Sequence, residues 1–153
     1  MREVGMQVTA KADYAIRAAT VLASAGPGPV KSETIAAAED IPLRFLHNIL
    51  AALTRAGILS SLRGSDGGYE LCRAAATITV ADVIRAVEGP FAAGGGHAVP
   101  GGAGARRGGQ EALRAVWAAL RANERAILES VTLADLAAGR LPDMSAVGLV
   151  PGA

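Results

Sequence analysis

The sequence is poor in cysteine and in aromatic residues. Cys72 is the only cysteine among 153 residues, so the chain can form no internal disulfide and is not a disulfide-stapled secreted scaffold. Aromatic residues make up 3% of the chain, although 51% of it is hydrophobic. The core must therefore be built mainly from alanine, leucine, valine and isoleucine, which favours helices in a folded domain.

The sequence also has little net charge and no long apolar run. Its 15 basic and 14 acidic side chains leave a net charge of +1, so any surface that binds nucleic acid has to be local. Neither a signal peptide nor a run of about eighteen apolar residues is recognisable. We therefore expect a cytoplasmic protein without a membrane partner.

The motifs of common enzyme classes are missing as well. There is no Walker lysine, no glycine fingerprint between a strand and a helix, no HExxH and no clear pairing of a nucleophile with a base. His97 lies in a glycine-rich stretch without other candidate metal ligands around it. We expect no enzymatic activity, no catalytic or metal-binding residues and no cofactor.

The first part of the chain predicts two helices and a turn. Thr9 can cap a helix that runs to about Ser24 and ends at the proline- and glycine-rich segment 26–29. Ser32 is expected to cap a short second helix, 33–39, and residues 40–42 are expected to form a turn with the cap of a third helix. The apolar face of the first helix is predicted to consist of Ala12, Ala15, Ile16, Ala19 and Ala23.

The third helix is predicted from about Leu43 to Arg55, with two contrasting sides. Four apolar residues share its inner side: Leu46, Ile49, Leu50 and Leu53. Its outer side carries Arg44, His47, Asn48, Ala51 and Arg55. Gly57 ends the helix. A polar outer side of this kind is either simply solvated or contacts a partner.

Two short strands are predicted after Gly57, where alternation replaces helical spacing. The stretches ILSSL and YELC flank RGSDGG, and Asp66-Gly67 is expected to supply the positive φ angles of a tight hairpin turn. Cys72 is expected to fill space rather than to react. Two helices joined by a short turn and followed by a hairpin predict a winged helix-turn-helix, whose wing places Arg63 to reach into a minor groove of DNA.

The second half of the chain predicts a capped helix, a loop and a long helix. Thr79 and Asp82 form a capping-box pair for a helix through about Val87, which Gly89-Pro90 closes. We predict a flexible glycine-rich loop over 91–109, a dimerisation helix over 110–138 and a disordered tail over 139–153. An apolar stripe on the long helix is expected to pack on a second copy of the chain: Leu113, Val116, Trp117, Leu120, Ile127 and Leu128.

Three segments form a specific combination of motifs. They are VTAKADYAIRAATVLA near the start, IPLRFLHNILAALTRAGILSSLRGSDGGYEL in the middle and ITVADVIRAVEGP after the wing. The order RGxxGGYxL, then TxADVIRAVEG, is far more specific than any single glycine motif. Over residues 6–90 the chain resembles the Rrf2-type family of bacterial winged-helix regulators, whose members include the iron–sulfur cluster regulator, a cysteine-metabolism regulator and nitric-oxide-sensing repressors.

The resemblance implies a mainly α fold, with a winged helix-turn-helix over residues 6–90 and a C-terminal dimerisation helix. It also implies a homodimer that represses transcription from a palindromic promoter site, with recognition helices in major grooves of double-stranded DNA and wings in the flanking minor grooves. The matching positions assign DNA contacts to Lys11, Arg44, Phe45, His47, Asn48 and Arg63. For Phe45 the alternative is a ring that packs back on the core.

The chain departs from that family in its cysteines. Sensing members ligate an iron–sulfur cluster with three cysteines in the loop before the dimerisation helix, and this loop contains none. Asp13 occupies a position where one branch uses a carboxylate ligand, but here it has no cysteines to complement it. We therefore expect a regulator without a cluster.

Two other functions stay open at this point. A winged helix that binds protein instead of DNA is favoured by the balanced charge alone, because a fold does not by itself specify a function. A regulator that responds to an unidentified small molecule or partner protein is the other. Salt dependence separates the first alternative from a DNA binder, since neutralising phosphates makes DNA affinity fall steeply with added salt.

Overall fold

The computed structural model describes residues 8–89 and 107–141. Helices dominate, with one antiparallel hairpin between the third and fourth of them. The elements are α1 (Ala10–Ser24), α2 (Ser32–Glu39), α3 (Leu43–Arg55), β1 (Leu59–Leu62), β2 (Gly68–Leu71), a single 3-10 turn (Ala75–Thr77), α4 (Val80–Glu88), α5 (Arg107–Ser130) and α6 (Leu133–Ala137). In these ranges no helix is both long enough and apolar enough to span a bilayer.

Small side chains let α1 lie at the centre of the core. Thr9 caps the helix as predicted, its hydroxyl accepting from the amide of Ala12 at 3.1 Å. The buried face of α1 is rotated by about one residue from the predicted one. Ala18 and Leu22 are buried, whereas Ile16 and Ala23 are only partly buried. The residues buried along α1 are Ala12, Ala15, Ala18, Ala19 and Leu22. Alanines at these positions allow neighbouring helices to approach closely.

The caps of α2 and α3 differ from the prediction. Lys31 is the N-cap of α2 and Ser32 is its first residue, so the Ser32 hydroxyl makes no capping bond. Asp40 ends α2 in the left-handed region, at φ 51°, a conformation that short polar residues tolerate. Pro42 then stands at the N-cap of α3 without a side-chain cap.

The wing contains a third, strand-like partner that the sequence pattern did not predict. β1 and β2 pair from Leu59↔Leu71 to Leu62↔Gly68. Val30, just before α2, forms a two-bond bridge with Tyr69, its amide donating to the Tyr69 carbonyl at 2.9 Å and its carbonyl accepting at 2.8 Å. This bridge attaches the base of the wing to the start of the helix-turn-helix.

The turn of the wing also corrects the prediction of positive φ angles at Asp66 and Gly67. The Gly67 amide donates to the Gly64 carbonyl at 3.0 Å, and the positive φ angles belong to Gly64 and Gly68. Five residues, 63–67, connect the strands, so the tight two-residue turn is not required. The expectation that Cys72 fills space is wrong too, because its side chain is exposed.

Two helices, not one, follow the second undescribed segment. α5 begins at Arg107, within the predicted loop, and ends at Ser130, before the predicted boundary at 138. Thr132 and Asp135 form a capping box that starts α6, as Thr79 and Asp82 do for α4. Most of the predicted loop and tail lies in 90–106 and 142–153, outside the described residues.

The segment between α5 and α6 returns to the N-terminal module. The Val80 amide donates to the Val131 carbonyl at 2.8 Å, and the Leu133 amide donates to the Ile78 carbonyl at 2.9 Å. Leu133 is fully buried in the core. The end of the long helix is therefore built into the winged-helix module.

Candidate nucleic-acid interface

α3 presents one polar side because its other side is held in the core. The four predicted inner residues, Leu46, Ile49, Leu50 and Leu53, are all 0–2% exposed. Ala52 is buried with them, and the helical spacing places the polar residues on the opposite surface. Arg44, His47 and Asn48 are exposed there. Such a surface on the second helix of a helix-turn-helix has the shape that enters a major groove.

Phe45 lies on this surface and not in the core. Its side chain is 60% exposed, which excludes the alternative that the ring packs inward. Leu43, at the start of α3, is also exposed. An aromatic ring between polar side chains can contact the methyl group of thymine in the major groove.

The wing carries Arg63 at its outer edge. Arg63 follows directly on β1 and is exposed, and it makes no hydrogen bond or ion pair with any of the described residues. The guanidinium is therefore available to a partner. Lys11, in the first turn of α1, is exposed as well. Lys31 is a further exposed cation, at the N-cap of α2. The sequence did not predict its place there, because lysine is not a typical capping residue.

Two glycines of the wing are required by lack of space. A Cβ on Gly67 would lie 2.1 Å from the Leu62 carbonyl oxygen, and one on Gly68 would lie 2.5 Å from the Val30 carbonyl oxygen. Both neighbours are backbone atoms and cannot move aside alone. The close approach of these backbones sets where Arg63 leaves β1 and how the wing lies against Val30.

Arg17 joins α1 to the end of α2. Its guanidinium contacts Asp13 at 3.1 Å and Glu39 at 2.9 Å and lies over the Tyr14 ring, 5.5 Å from the centroid. The hydrogen bond to Glu39 and then that to Asp13 raise the pKa of Arg17. Asp13, considered above as a ligand position, is thus an ion-pair partner in this chain.

A second ion-pair cluster joins the segment after the wing to α4 and α5. Asp82 contacts Arg73 at 3.2 Å and Arg85 at 2.8 Å, and Arg85 also contacts Glu129. Hydrogen bonds to Glu129 and then to Asp82 raise the pKa of Arg85. These half-exposed pairs contribute little each, but they tie three elements together.

Part of α5 exposes the predicted apolar stripe. Leu113, Val116 and Leu120 are 43–53% exposed, and Trp117 between them is half-buried. The Trp117 Nε1 is hidden from solvent and lacks a hydrogen-bond partner in the part of the chain that the structure describes. Further along, Leu128 packs within the chain against Ala12, Val80 and Ile84, and Ile127 is half-buried. The exposed stripe is therefore confined to the first two-thirds of the helix.

The described residues offer no assembled metal site. No three side chains of histidine, cysteine, aspartate or glutamate are grouped closely enough to hold an ion within 8–89 and 107–141. Iron–sulfur clusters are held mainly by thiolates, and the whole chain has one cysteine. The residues present do not fit such a cluster.

Comparison with known proteins finds relatives along most of the chain. The Rrf2 family model, described as iron-dependent transcriptional regulator, matches residues 8–139. Rv1287 of Mycobacterium tuberculosis, assigned as an HTH-type transcriptional regulator, is 45% identical over 139 residues, which are 90% of this chain and 85% of that protein. The HTH-type transcriptional regulator CymR of Bacillus subtilis is 30% identical over 133 residues, 86% of this chain and 90% of CymR.

Solved structures resemble the whole arrangement. CymR of B. subtilis, described as the global cysteine regulator, superimposes with a TM-score of 0.75 at 28% identity, over 90% of this chain and 100% of that one. IscR of T. potens has a TM-score of 0.69 at 29% identity, over 99% of this chain and 97% of that one. The likeness thus extends beyond the wing to the C-terminal helices.

Proposed function

The chain belongs to the Rrf2 family of transcriptional regulators, and we propose that it acts as a cytoplasmic homodimer that represses transcription from a palindromic promoter site without an iron–sulfur cluster. Family membership confirms the predicted winged-helix fold with a C-terminal helix, and a regulator rather than an enzyme. A dimer that covers a promoter in both grooves would compete with polymerase, which is the physical basis for a repressor.

The polar side of α3 carries the proposal. Arg44, Phe45, His47 and Asn48 are all exposed there, while the opposite side of the same helix is buried. These residue types can read base edges: guanidinium for guanine, amide for adenine and an apolar ring for the thymine methyl group. Lys11 would contact the phosphate backbone, which fixes register rather than sequence.

The wing would add a contact in the flanking minor groove. Arg63 is exposed at the edge of the hairpin, and the Val30–Tyr69 bridge attaches that hairpin to the segment that leads into α2. A narrow minor groove has an enhanced negative potential that attracts an inserted arginine. The helix and the wing would then hold the duplex from two grooves.

The exposed stripe on α5 supports the homodimer. Leu113, Val116, Trp117 and Leu120 recur at the spacing of one helical face, and three of them are largely exposed. A helical apolar stripe of this size is normally covered by a partner. Covering it with a second copy would hold two copies of α3 at a constant separation, as a palindromic site requires.

The cysteine content supports a regulator without a cluster. Family relatives are described as iron-dependent, yet Cys72 is exposed after the wing and is the chain's only thiol. We expect anaerobically purified protein to be colourless and to contain no stoichiometric iron. A brown protein with stoichiometric iron and sulfide would contradict this part of the proposal.

The decisive experiment is selection of bound fragments from random and genomic DNA, followed by footprinting. We expect two inverted half-sites whose centres are about one helical turn, or a multiple of it, apart. Affinity for the selected site should fall steeply between about 50 and 200 mM salt, because bound counterions are released. Selection that enriches no sequence at low salt would overturn the function as a DNA reader.

A protein-binding winged helix is the second candidate, because the net charge is only +1 and Phe45 is an exposed ring on the outer side of α3. A protein-docking surface would be much less sensitive to salt than a DNA-binding one. A regulator that also binds an effector would select DNA normally, and its affinity for that site would change when the effector is added.

A further inference from the structure

A serine on α2 contacts the histidine of the recognition helix. Ser32 Oγ lies 3.3 Å from His47 Nε2 and donates a hydrogen bond to Glu33 Oε2, also at 3.3 Å. Ser32 makes no capping bond to its own helix, whose N-cap is Lys31. Its hydroxyl therefore serves the contact between the two helices of the helix-turn-helix.

Counting hydrogens decides which atom donates in this contact. A serine hydroxyl has one hydrogen and two acceptor lone pairs, whereas an ionised carboxylate can only accept. The pKa of Glu33 is lowered, chiefly by a hydrogen bond from its own backbone amide, so this carboxylate is ionised at neutral pH. Since Ser32 gives its hydrogen to Glu33, it must accept from His47, and Nε2 must carry the hydrogen.

The other ring nitrogen is then left for a partner. His47 is exposed, and its Nδ1 makes no hydrogen bond to any of the described residues. In the neutral ring with a hydrogen on Nε2, Nδ1 is an acceptor. In the charged ring Nδ1 carries a hydrogen and is a donor.

We propose that Ser32 is a positioning residue for His47: by accepting a hydrogen bond from Nε2 it leaves Nδ1 to accept a hydrogen bond in the major groove. An acceptor at this point selects the exocyclic amino group of adenine or cytosine. Ser32 would thus help to set the base preference at one pair of the operator. This inference rests on the proposed function, since it needs α3 in the major groove.

The charged groups around His47 lie on two elements. Glu33 is on the α2 side, and Lys31 precedes it at the N-cap. Arg44 stands one turn earlier on α3. His47 is the sole histidine in 8–89 and 107–141, and His97 lies outside those ranges.

The test compares base preference and affinity for Ser32→Ala, Ser32→Thr, His47→Ala and the double variant, in a His97→Asn background. Preference is measured by selection from DNA randomised at each base pair of the operator. The parent should prefer adenine or cytosine at one pair, and Ser32→Ala should weaken that preference. Ser32→Ala and His47→Ala should each lower operator affinity about three- to tenfold, and the double variant no further. Ser32→Thr keeps the hydroxyl and should retain the preference.

Thr34→Ala is the matched control, because Thr34 is an exposed hydroxyl residue on the same helix, whereas the hydrogen-bond partner of His47 is Ser32. It should bind the operator with the parent's affinity and base preference. Independent losses from Ser32→Ala and His47→Ala, or a base preference in Ser32→Ala that equals the parent's, would overturn the inference while leaving DNA binding intact. If the parent selects no operator at all, the proposed function fails first, and this inference fails with it.

Discussion

Arg63 and the glycines after it have different tasks in the wing. The arginine is exposed and supplies charge, whereas Gly67 and Gly68 lie against backbone atoms and supply shape. A glycine-rich turn lets β2 approach both Leu62 and Val30 closely enough for the wing to be attached to the base of the helix-turn-helix. Substitution of the arginine should therefore lower DNA affinity, whereas substitution of either glycine should lower stability.

We expect Arg63→Ala to lower affinity for the selected operator about tenfold, because the guanidinium inserted into the minor groove is lost. The free energy of unfolding should stay unchanged, because the substitution removes no contact within the fold. Titrations at several salt concentrations should also give a shallower slope, by about one. Arg125→Ala, an exposed arginine on α5, is the control and should bind normally. Unchanged operator affinity in Arg63→Ala would remove the wing from the interface.

Gly67→Ala should instead destabilise the fold by about 2 kcal/mol or more, because the new Cβ would lie 2.1 Å from the Leu62 carbonyl oxygen. Urea unfolding followed by circular dichroism measures this loss. Gly26→Ala is matched to it: a Cβ there meets nothing within 4 Å, so stability should be unchanged or slightly raised. Equal stabilities for the two variants would contradict the packing of the hairpin.

The short helices α4 and α6 are each stabilised by a capping box at the N-terminus. α4 and α6 each begin with a threonine and an aspartate that satisfy one another's backbone amides. The boxes lie next to each other, because Thr79 and Thr132 form a backbone bridge. The pKa of Asp135 is lowered, chiefly by the hydrogen bond from the Thr132 amide.

The pKa of Asp82 is lowered as well. Burial is the largest single influence and raises it, but hydrogen bonds from the Thr79 amide, Arg85 and the Thr79 hydroxyl together outweigh burial. A folded-state pKa below the unfolded one means that the ionised carboxylate stabilises the fold above the ordinary aspartate range. This stabilisation is lost as the pH falls through the folded-state pKa.

Asp82→Asn should therefore be less stable than the parent at about pH 7, and this deficit should shrink at about pH 3, where the pH has fallen below the ordinary aspartate pKa. Unfolding in urea at both pH values measures the difference. Thr79→Ala removes the other half of the box and should cost about 1 kcal/mol at neutral pH. Asp66→Asn, in the exposed turn of the wing, is the control and should differ little from the parent at either pH. A deficit in Asp82→Asn that is the same at both pH values would show that the carboxylate charge is irrelevant.

The two ends of α5 have different partners. Its last turns are held by α4 and by the segment around Val131, while the earlier stripe of Leu113, Val116 and Leu120 remains exposed. The end of α5 is fixed to the winged-helix module. Pairing of two copies along the exposed stripe would therefore set the distance between their α3 helices. Affinity for a palindrome and dimerisation should therefore be lost together.

Val116→Glu should convert the protein to a monomer and lower operator affinity by at least tenfold, because the proposed dimer interface would bury the new carboxylate. Sedimentation velocity measures the mass and gel shift the affinity. Ala122→Glu places the same charge on the opposite side of α5, where Ala122 is exposed, and should remain dimeric. A dimeric Val116→Glu would place the interface elsewhere.

Local patterns were sufficient for α1, α3 and α4 and for the composition of the α3 surface. The bounds of α1 and α3, the capping box of α4 and the buried set Leu46, Ile49, Leu50 and Leu53 follow from spacing and capping chemistry along a few consecutive residues. Helical spacing and capping involve residues only three or four positions apart, so both can be recognised directly in the sequence.

Contacts between distant segments came from packing. The bridge of Val30 to Tyr69, the return of Val131 and Leu133 to the start of α4, and the meeting of Ser32 with His47 join residues 15 or more positions apart. No periodicity encodes these pairs, because each joins segments that are far apart in the sequence and meet only in the folded chain. The same packing moved the buried face of α1 by one position and left Cys72 at the surface. The residue types on the proposed DNA surface can thus be predicted from the sequence. Their arrangement in space is decided by tertiary contacts between distant segments.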